Sequence, residues 1–333
     1  MKRDPRCKFS LKEEQEIIIL YNKGLCLSQV GNKFNTSLST IRRILIENDI
    51  DRRSHGEGTR LLHKHIEIKP PVDFPWDLRH VFSKLLSVFL LTDGYMRKGG
   101  GIMLINTDMT LQRYFLTLIK EAYRLAPTAS SFMHKGKETI VHSKLVSSEL
   151  LNYSPSYNTY PRNCSSTEYF QKPQPSLDFL KNENIKLLKE CIRIAMSTDG
   201  TVNVEFPRNM IYPKLEFSCA HPILLQQWKK IFEKIGIKSF IIKSNITWSK
   251  IRGLGIKELK SVRRFIEIGG FIKGVKITGK SKYYRGVSKN SLLELVLSLN
   301  EKSFHFLPYL EIKEKNQIVR EMITNPSKHS KIL

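Results

Sequence analysis

The chain has 333 residues, which is enough for two or three domains that each bury a core of their own and excludes a single small module. Its 55 Lys and Arg residues outnumber 31 Asp and Glu residues, and the formal net charge of +24 predicts a polyanionic partner, nucleic acid above all. No apolar run approaches the roughly 20 residues that span a bilayer, and no hydrophobic signal stretch follows Met1, so we expect a cytoplasmic protein without membrane contact.

Three short helices are predicted in residues 1–55, and serines suited to N-capping precede the first and the third: Ser10, and then Ser37 or Ser39. Such helices with a tight second turn are typical of a helix-turn-helix, in which the start of the third helix enters the major groove and basic residues beyond it follow the phosphates. A small three-helix domain with a solvated basic face is the alternative. The candidate DNA-binding residues of this segment are Ser39, Thr40, Arg42, Arg43, Arg52 and Arg53.

Residues 56–76 are rich in Gly, His, Lys and Pro, which predicts a linker. From residue 77 to about residue 176, apolar periodicity predicts a first repeat of helices and strands. Its expected elements are a helix over residues 77–92, a hairpin turning at Gly99–Gly101 into a strand over residues 102–107, a helix over residues 110–125, a second hairpin over residues 131–142 and a helix over residues 144–152.

The same order of elements begins again at residue 177 and is expected to end near residue 300, ahead of a tail over residues 301–333. The expected elements of this second repeat are a helix over residues 182–198, strands over residues 201–206 and 214–219, a helix over residues 222–235, strands over residues 238–243 and 246–252, a helix over residues 256–268 and a closing helix over residues 290–299. Both stretches therefore follow the order helix, two strands, helix, two strands, helix.

Each repeat opens with an apolar helix that ends at the same tripeptide. The segment Leu85–Gly94 ends Leu-Leu-Thr-Asp-Gly, and the segment Cys191–Gly200 ends Met-Ser-Thr-Asp-Gly. The glycine is expected to end the helix, which leaves Asp93 and Asp199 at its mouth. Aspartate before glycine is common in turns, so a single instance would indicate turn chemistry alone. Two instances in matching contexts indicate a paired carboxylate site.

On these motifs the chain resembles the LAGLIDADG homing endonucleases, in the single-chain form that carries two motifs, over about residues 77–299. The resemblance implies an α+β fold of two tandem αββαββα repeats, which form a pseudo-two-fold saddle on double-stranded DNA and act as a monomer. It implies that the motif helices pack side by side and that Asp93 and Asp199 are the catalytic pair and the ligands of Mg²⁺, for which Mn²⁺ is expected to substitute. The implied function is site-specific double-strand cleavage by a freestanding or intron-encoded endonuclease.

The chemistry of phosphodiester hydrolysis independently favours such a pair. Charge on the scissile phosphate must be neutralised and the pKa of the attacking water lowered, which divalent ions held by carboxylates do. Magnesium prefers oxygen ligands and is commonly bound by one or two carboxylates while it keeps several waters. Two aspartates at adjoining helix ends would therefore suit a metal-dependent nuclease.

The motif helices depart from the family pattern. The earlier acidic position of the motif is Leu91 in the first copy and Ser197 in the second. Small residues let helices approach closely, but the corresponding positions here are Val88 and Thr92 in one motif and Ile194 and Thr198 in the other, so we expect a wider crossing.

The resemblance also assigns a basic residue near the metal to stabilisation of the transition state. Lys276 is the candidate in the second repeat, with Lys273 as its alternative. In the first repeat Arg162 and Lys172 lie in the corresponding interval. Weaker candidates for arranging water are Asp108, Gln112 and Gln226.

Strand alternation predicts the side chains that face DNA. If Met96, Val202, Val204 and Phe206 face the core, their neighbours along the strands face outward. Basic residues of the second hairpin in each repeat would add phosphate contacts. The resulting candidates are Tyr95, Arg97, Thr201, Asn203 and Glu205 on the first hairpins, and Lys135, Lys137, Lys243, Lys250 and Arg252 on the second.

The main alternative function is a DNA-binding regulator that keeps the scaffold and the helix-turn-helix but cuts nothing. The presence of both Asp93 and Asp199 favours the nuclease, because a non-cutting descendant needs neither. A recombinase is suggested only by the N-terminal helices, since no serine or tyrosine nucleophile domain is recognisable. Intein activity is not expected, because the chain starts with Met1 and ends Lys331-Ile-Leu.

Overall fold

The computed structural model describes residues 9–23, 25, 27–51, 79–97, 100–123, 138–141, 143–161, 164–278, 281, 283–300 and 309–325. These residues belong to two compact units. The first contains the described residues up to residue 51, and the second contains those from residue 79 onward.

Three helices form the first unit: α1 (Leu11–Asn22), α2 (Leu27–Lys33) and α3 (Leu38–Glu47). A capping box starts α1, since the Ser10 hydroxyl accepts the Glu13 N–H while the Glu13 carboxylate accepts the Ser10 N–H. The Ser37 hydroxyl accepts the Thr40 N–H at 3.2 Å, so Ser37 rather than Ser39 caps α3. Three helices are present within residues 1–55, as predicted, and they enclose a core of Ile17, Tyr21, Val30, Ile41, Ile44 and Leu45.

The second unit is α+β, with two antiparallel sheets, and its described elements follow the predicted order apart from additional helices at residues 166–170 and 312–324. Its first part contains α4 (Arg79–Leu91), β1 (Gly94–Met96), β2 (Ile102–Ile105), α5 (Met109–Tyr123), β3 (Glu138–Val141), α6 (Lys144–Leu150) and α7 (Ser166–Phe170). Its second part contains α8 (Ile185–Asp199), β4 (Gly200–Glu205), β5 (Tyr212–Ser218), α9 (Pro222–Lys234), β6 (Phe240–Lys243), β7 (Ile251–Ile256), α10 (Leu259–Glu267), α11 (Lys289–Asn300) and α12 (Ile312–Thr324).

Each part of the second unit contributes one sheet. The described strands of the first sheet have the order β1-β2-β3, and those of the second have the order β4-β5-β7-β6. In the first register Tyr95 pairs with Met103, and in the second Asn203 pairs with Lys214. On β4 Gly200 and Val202 are buried while Thr201 and Asn203 are partly exposed, which is the alternation expected of a sheet with one core face.

The two motif helices, α4 and α8, pack against each other inside the second unit. Most of their apolar side chains are buried, and Val88 and Ile194 are fully so. Thr92 and Thr198 turn their hydroxyls into their own helices, where each donates to a carbonyl about one turn earlier, at 3.1 Å and 3.0 Å. The hydroxyl groups of these two equivalent threonines are thereby satisfied by the backbones of their own helices.

Two further contacts join the first part of the unit to α8. The Tyr114 hydroxyl of α5 donates to Glu190 of α8 at 2.7 Å. Lys84 of α4 forms an ion pair with Glu183, just before α8 begins. The relative position of the helix ends therefore rests on polar contacts as well as on apolar burial.

The last hairpin differs from the sequence prediction. A strand over residues 246–252 is wrong, because β7 begins only at Ile251 and a closed loop precedes it. In that loop the Thr247 hydroxyl donates to the Ile251 carbonyl at 2.8 Å, and Lys250 has a φ of 57°. The helix predicted from Ile256 is also displaced, since Ile256 pairs with Leu215 in the sheet and α10 begins at Leu259. Apolar side chains at alternate positions are typical of a strand, which is why the sequence predicted one. Hydrogen bonds from hydroxyl groups close a turn there instead.

Other predicted segments lie outside the described residues in whole or in part. These are the linker over residues 56–76, most of the hairpin over residues 131–142 with Lys135 and Lys137, and Arg52, Arg53 and Arg162. The short helix α7 was not predicted from its polar segment. In the part of the chain that the structure describes, no helix has the length and apolar character needed to cross a membrane.

A buried histidine starts α9 and must stay neutral. His221 is 1% exposed, its Nδ1 accepts the Leu224 N–H at 3.3 Å, and its Nε2 lies 3.2 Å from the Gln174 side-chain oxygen. An imidazole that accepts at Nδ1 and donates at Nε2 is uncharged. Burial accordingly lowers the pKa of His221 to about 4.

We expect the second unit to lose stability as the pH falls from 6.5, the ordinary histidine pKa, to about 4. In this pH window the histidine of the unfolded chain binds a proton, whereas His221 of the folded chain does not. The free energy of unfolding therefore falls by an amount on the order of 2 to 3 kcal/mol. Urea unfolding of wild type and His221→Asn across this pH range measures the effect. Asparagine keeps an N-cap but does not titrate, so a variant with the same acid sensitivity as wild type would contradict the assignment.

Candidate active site at two helix ends

Asp93 and Asp199 come together because the helices that carry them pack side by side. Asp199 is the last residue of α8, and Asp93 follows α4 by two residues. A glycine comes next in both copies and opens β1 or β4. The repeated sequence motif thus corresponds to a repeated reversal from helix to strand, which we call a corner. Each corner has a carboxylate at the point where the helix ends and the strand begins.

The glycines at these corners are required for a reason other than the one expected from sequence. Gly200 has a φ of −90° and a ψ of 151°, which is extended backbone and not a left-handed helix cap. A Cβ at this position would lie 2.3 Å from the Met196 carbonyl oxygen, and one at Gly94 would lie 2.4 Å from the Leu90 Cα. Each strand therefore folds back against the last turn of its own helix, and only glycine fits.

The two carboxyl groups are close enough for each to shift the pKa of the other. Burial raises the pKa of Asp93, while the hydrogen bond from Asn106 and the neighbouring Asp199 oppose that rise. Burial also raises the pKa of Asp199 well above its ordinary value, and the neighbouring Asp93 raises it further. Two neighbouring carboxyl groups that are buried away from water cannot both ionise without a cost in free energy. The pair therefore holds a proton at a pH at which a solvated aspartate would release it.

A chain of hydrogen bonds extends from Asp93 into the second repeat. The Asn106 amide donates to Asp93 Oδ2 at 2.6 Å, and the Asp108 N–H donates to Asn106 Oδ1 at 2.7 Å. The buried Asp108 carboxylate then accepts the Thr110 N–H at the start of α5 and the Lys276 N–H, both at 2.8 Å. Asp108 was predicted as a residue that arranges water, but here it fixes backbone on both sides.

A buried lysine that the sequence did not single out lies close to the pair. Lys289 is 6% exposed, and its ammonium donates to the carbonyls of Ser197 and Gly200 at 2.7 Å and 2.6 Å, on either side of Asp199. Burial lowers the pKa of Lys289 to about 8, although Asp93, Asp199 and Asp108 favour its charged form. Its sequence context, Val-Ser-Lys-Asn-Ser, carries no signal that separates it from the other lysines.

Lys276, the basic residue predicted from sequence, lies in a different environment from Lys289. Its side chain is exposed, and with Asp108 and Arg285 it lines a cavity of about 660 Å³ between the start of α5 and residues 274–278 and 285–286. Lys273 and Lys172 are exposed as well. Of the two glutamines, Gln112 is buried and donates to the Asn106 carbonyl, whereas Gln226 is exposed on α9.

The predicted DNA-facing residues of the second unit lie at its surface to different degrees. Arg97, Lys243, Lys250 and Arg252 are exposed, while Tyr95, Thr201 and Asn203 are partly exposed. Ion pairs cross the outer face of the second sheet: Arg252 to Glu216 at 3.2 Å, and Glu205 to Lys214 and Lys257 at 3.3 Å and 3.2 Å.

In the first unit, the predicted residues lie at the start of α3. Ser39 and Arg42 are exposed, and Thr40 and Arg43 are partly exposed. The hydroxyls of Ser39 and Thr40 lie 2.7 Å and 2.9 Å from that of Ser37. Arg43 pairs with Glu47 at 3.5 Å, which leaves Arg42 as the more exposed cation of this helix.

Asp93 and Asp199 are suited to hold a divalent cation. A cation between them would relieve the repulsion that raises the pKa of Asp199. Among the described residues, no cluster of three or more His, Cys, Asp and Glu side chains is arranged to bind metal. The protein would thus supply two carboxylates and leave the other positions to water and substrate oxygens, a ligand set typical of Mg²⁺.

Comparison with models of protein families gives no match, and neither does comparison with curated proteins. Among solved structures, the chain is similar to the N-terminal LAGLIDADG domain of DUF199/WhiA, with 17% identity, coverage of 70% of this chain and 95% of that one, and a TM-score of 0.37. It is similar to full-length DUF199/WhiA from Thermatoga maritima, with 15% identity, coverage of 78% and 94%, and a TM-score of 0.38. It is also similar to the homing endonuclease I-WcaI bound to its DNA recognition sequence, with 12% identity, coverage of 64% and 94%, and a TM-score of 0.37.

We expect Gly200→Ala and Gly94→Ala each to destabilise the second unit by about 1 to 3 kcal/mol, because the new Cβ overlaps the preceding helical turn. Thermal and urea unfolding measure the loss. Thr201→Ala, one residue further along β4, is the matched control and should unfold close to wild type. Wild-type stability of both glycine variants would show that the corner has room for a side chain.

Proposed function

We propose that the chain is a site-specific endonuclease that hydrolyses both strands of duplex DNA with divalent ions held by Asp93 and Asp199. The observation that carries the proposal is that the two helices pack together and bring these carboxyl groups, from repeated motifs far apart in sequence, close enough to shift each other's pKa. A pair of turn aspartates with no further role would gain nothing from burial beside a like charge. Perturbed carboxyl groups of this kind are concentrated at functional sites.

The arrangement of this chain's own residues suits phosphodiester hydrolysis. In that reaction a water oxygen adds to phosphorus, one P–O ester bond breaks, and the leaving oxygen takes up a proton. A divalent ion at the pair would neutralise charge on the phosphate and lower the pKa of the attacking water. Asn106 fixes the orientation of Asp93. Lys289 holds the backbone on both sides of Asp199.

Charge and topology support duplex DNA as the substrate. The net charge of +24 favours a polyanion, and the exposed Arg97, Lys243 and Lys250 lie on or beside the strands of the two sheets. In the first unit, Arg42 near the start of α3 is exposed in the position that a helix-turn-helix presents to the major groove. DNA-binding regulation without cleavage is the second candidate. It is favoured by Lys289, whose ammonium already supplies a positive charge near the two carboxyl groups.

The first test is cleavage. Purified protein is incubated with a randomised duplex library in Mg²⁺, and cut ends are sequenced. We expect cutting at a long and nearly unique site. Asp93→Asn and Asp199→Asn should each lower double-strand cleavage by about a hundredfold or more, since each removes one carboxylate from the pair, while binding in Ca²⁺ persists.

The matched control is Asp49→Asn, an exposed aspartate of the first unit with a φ of 51°, which asparagine also tolerates. This variant should cut like wild type. A library that yields bound duplexes but no cut ends would exclude the nuclease and support the regulator. Full cutting by either pair variant would exclude that aspartate as a metal ligand.

The role of the first unit is tested separately. We expect Arg42→Ala to weaken binding to the selected duplex by about tenfold and to remove protection at one end of the footprint, because a groove-facing arginine is lost. Lys12→Ala, which removes an exposed cation from α1 at the same change in charge, should leave the footprint intact. An unchanged footprint for Arg42→Ala would mean that α3 does not contact this DNA.

A further inference from the structure

The loop between β6 and β7, residues 244–250, exposes an isoleucine. The Ile246 side chain is 97% exposed, more than any of the other large apolar side chains in the described residues. Trp248, two residues later, is packed instead, with its ring centroid 5.5 Å from that of Tyr169 and 6.1 Å from that of His221. The loop therefore packs one large apolar side chain against neighbouring rings and leaves the other in solvent.

Hydrogen bonds fix the loop in this form. The Ser244 N–H donates to the Lys250 carbonyl at 3.0 Å, and the Lys250 N–H donates to the Thr247 carbonyl at 3.1 Å. The Ile246 N–H itself donates to the Ser244 hydroxyl at 3.3 Å. The Ser249 hydroxyl ties the loop to the Ala220 carbonyl, just before α9. Ile246 is thus exposed on a closed turn whose backbone is already ordered. Binding of a partner at this turn would therefore cost little further conformational entropy.

Cations precede and follow the exposed isoleucine in the sequence. Lys243 comes just before the loop and Lys250 is its last residue; both are exposed, and neither forms an ion pair within the described part of the chain. Arg252 is exposed just beyond them. The stretch from residue 240 to residue 252 contains no acidic residue. A surface that is basic at its rim and apolar at its tip fits a partner that is anionic outside and apolar inside.

We propose that the loop enters a groove of duplex DNA, where Ile246 contacts the apolar surface of the bases while Lys243 and Lys250 contact phosphates. The proposal rests on the proposed DNA-binding function and names a specificity-determining residue for it. Duplex DNA offers two such apolar surfaces, the thymine methyl group in the major groove and the faces of a partly unstacked base step. Phosphate contacts carry no sequence information, so the apolar contact would set a base preference at this position.

The test uses the full chain and a duplex that wild type selects from a randomised library in Ca²⁺. We expect Ile246→Ser to bind this duplex about tenfold more weakly and to bind a duplex of unrelated sequence as wild type does. The salt dependence of binding should be unchanged, because no charge is lost. Lys250→Gln should instead reduce the slope of log K against log salt by about one and weaken both duplexes alike.

Two control variants separate the contact from general effects. Ile246→Leu should retain most of the affinity, since it keeps the apolar volume. Ile312→Ser removes another exposed isoleucine, 67% exposed at the start of α12, and should bind both duplexes normally. Thermal unfolding of Ile246→Ser should match that of wild type, because a side chain in solvent contributes little to the core.

Modified duplexes then identify the apolar surface. Replacement of thymines by deoxyuridine, one at a time, should abolish the difference between wild type and Ile246→Ser at one position if the methyl group is the contact. A rise in 2-aminopurine fluorescence with wild type but not with Ile246→Ser would instead identify an unstacked step.

Either modified-duplex result supports the proposal. Binding of the selected duplex by Ile246→Ser within about twofold of wild type would overturn it and leave the proposed function intact. Equal losses for Ile246→Ser and Ile312→Ser would also overturn it. Failure of wild type to bind any duplex would overturn the proposed function, and this proposal with it.

Discussion

The contact between α4 and α8 determines most of what the second unit can do. Burial of their apolar faces, at about 1.5 to 3 kcal/mol for each large side chain, drives the two helices together. The same packing brings Asp93 and Asp199 close together, where burial raises both pKa values and Asp93 raises that of Asp199 further. Packing that stabilises the fold is therefore strong enough to hold two acids where neither ionises easily. Such a site is set up to attract a cation or to retain a proton.

Backbone geometry converts this helix contact into a defined site. A Cβ at Gly94 or Gly200 would overlap the preceding helical turn, so each chain reversal is as tight as the polypeptide allows. The aspartate just before each glycine cannot move away from the end of its helix unless the backbone reversal at that glycine is lost. Lys289 braces the second corner by donating to the carbonyls of Ser197 and Gly200. The position of Asp199 consequently depends on α11 as well as on its own helix.

The elements that could be predicted from sequence are those with strong local signals. The helix pair and the first strands were recoverable because apolar periodicity and the repeated Thr-Asp-Gly segments lie within single stretches of chain. The start of β7 was not, since Ile246 and Trp248 alternate as in a strand while the Thr247 hydroxyl closes a turn. Lys289 could not be found either. Its importance arises from contacts with carbonyls about 90 residues earlier, which no local pattern records.

The two halves of the pair differ in ways that the repeated motif conceals. Three residues before α5 stands Asn106, whose amide donates to Asp93, and three residues before α9 stands Cys219, whose thiol lies near enough to Asp199 for the carboxylate to raise its pKa. The caps of the two helices correspond as well, since Asp108 accepts the Thr110 N–H and His221 the Leu224 N–H. An amide donor favours the ionised form of its partner, whereas a weakly polar thiol does not. Burial thus raises the pKa of both carboxyl groups, but the Asn106 amide opposes the rise at Asp93, whereas Asp93 adds to the rise at Asp199. The two halves of the pair are therefore not equivalent, and one difference between them is the residue three positions before each following helix, Asn106 in the first half and Cys219 in the second.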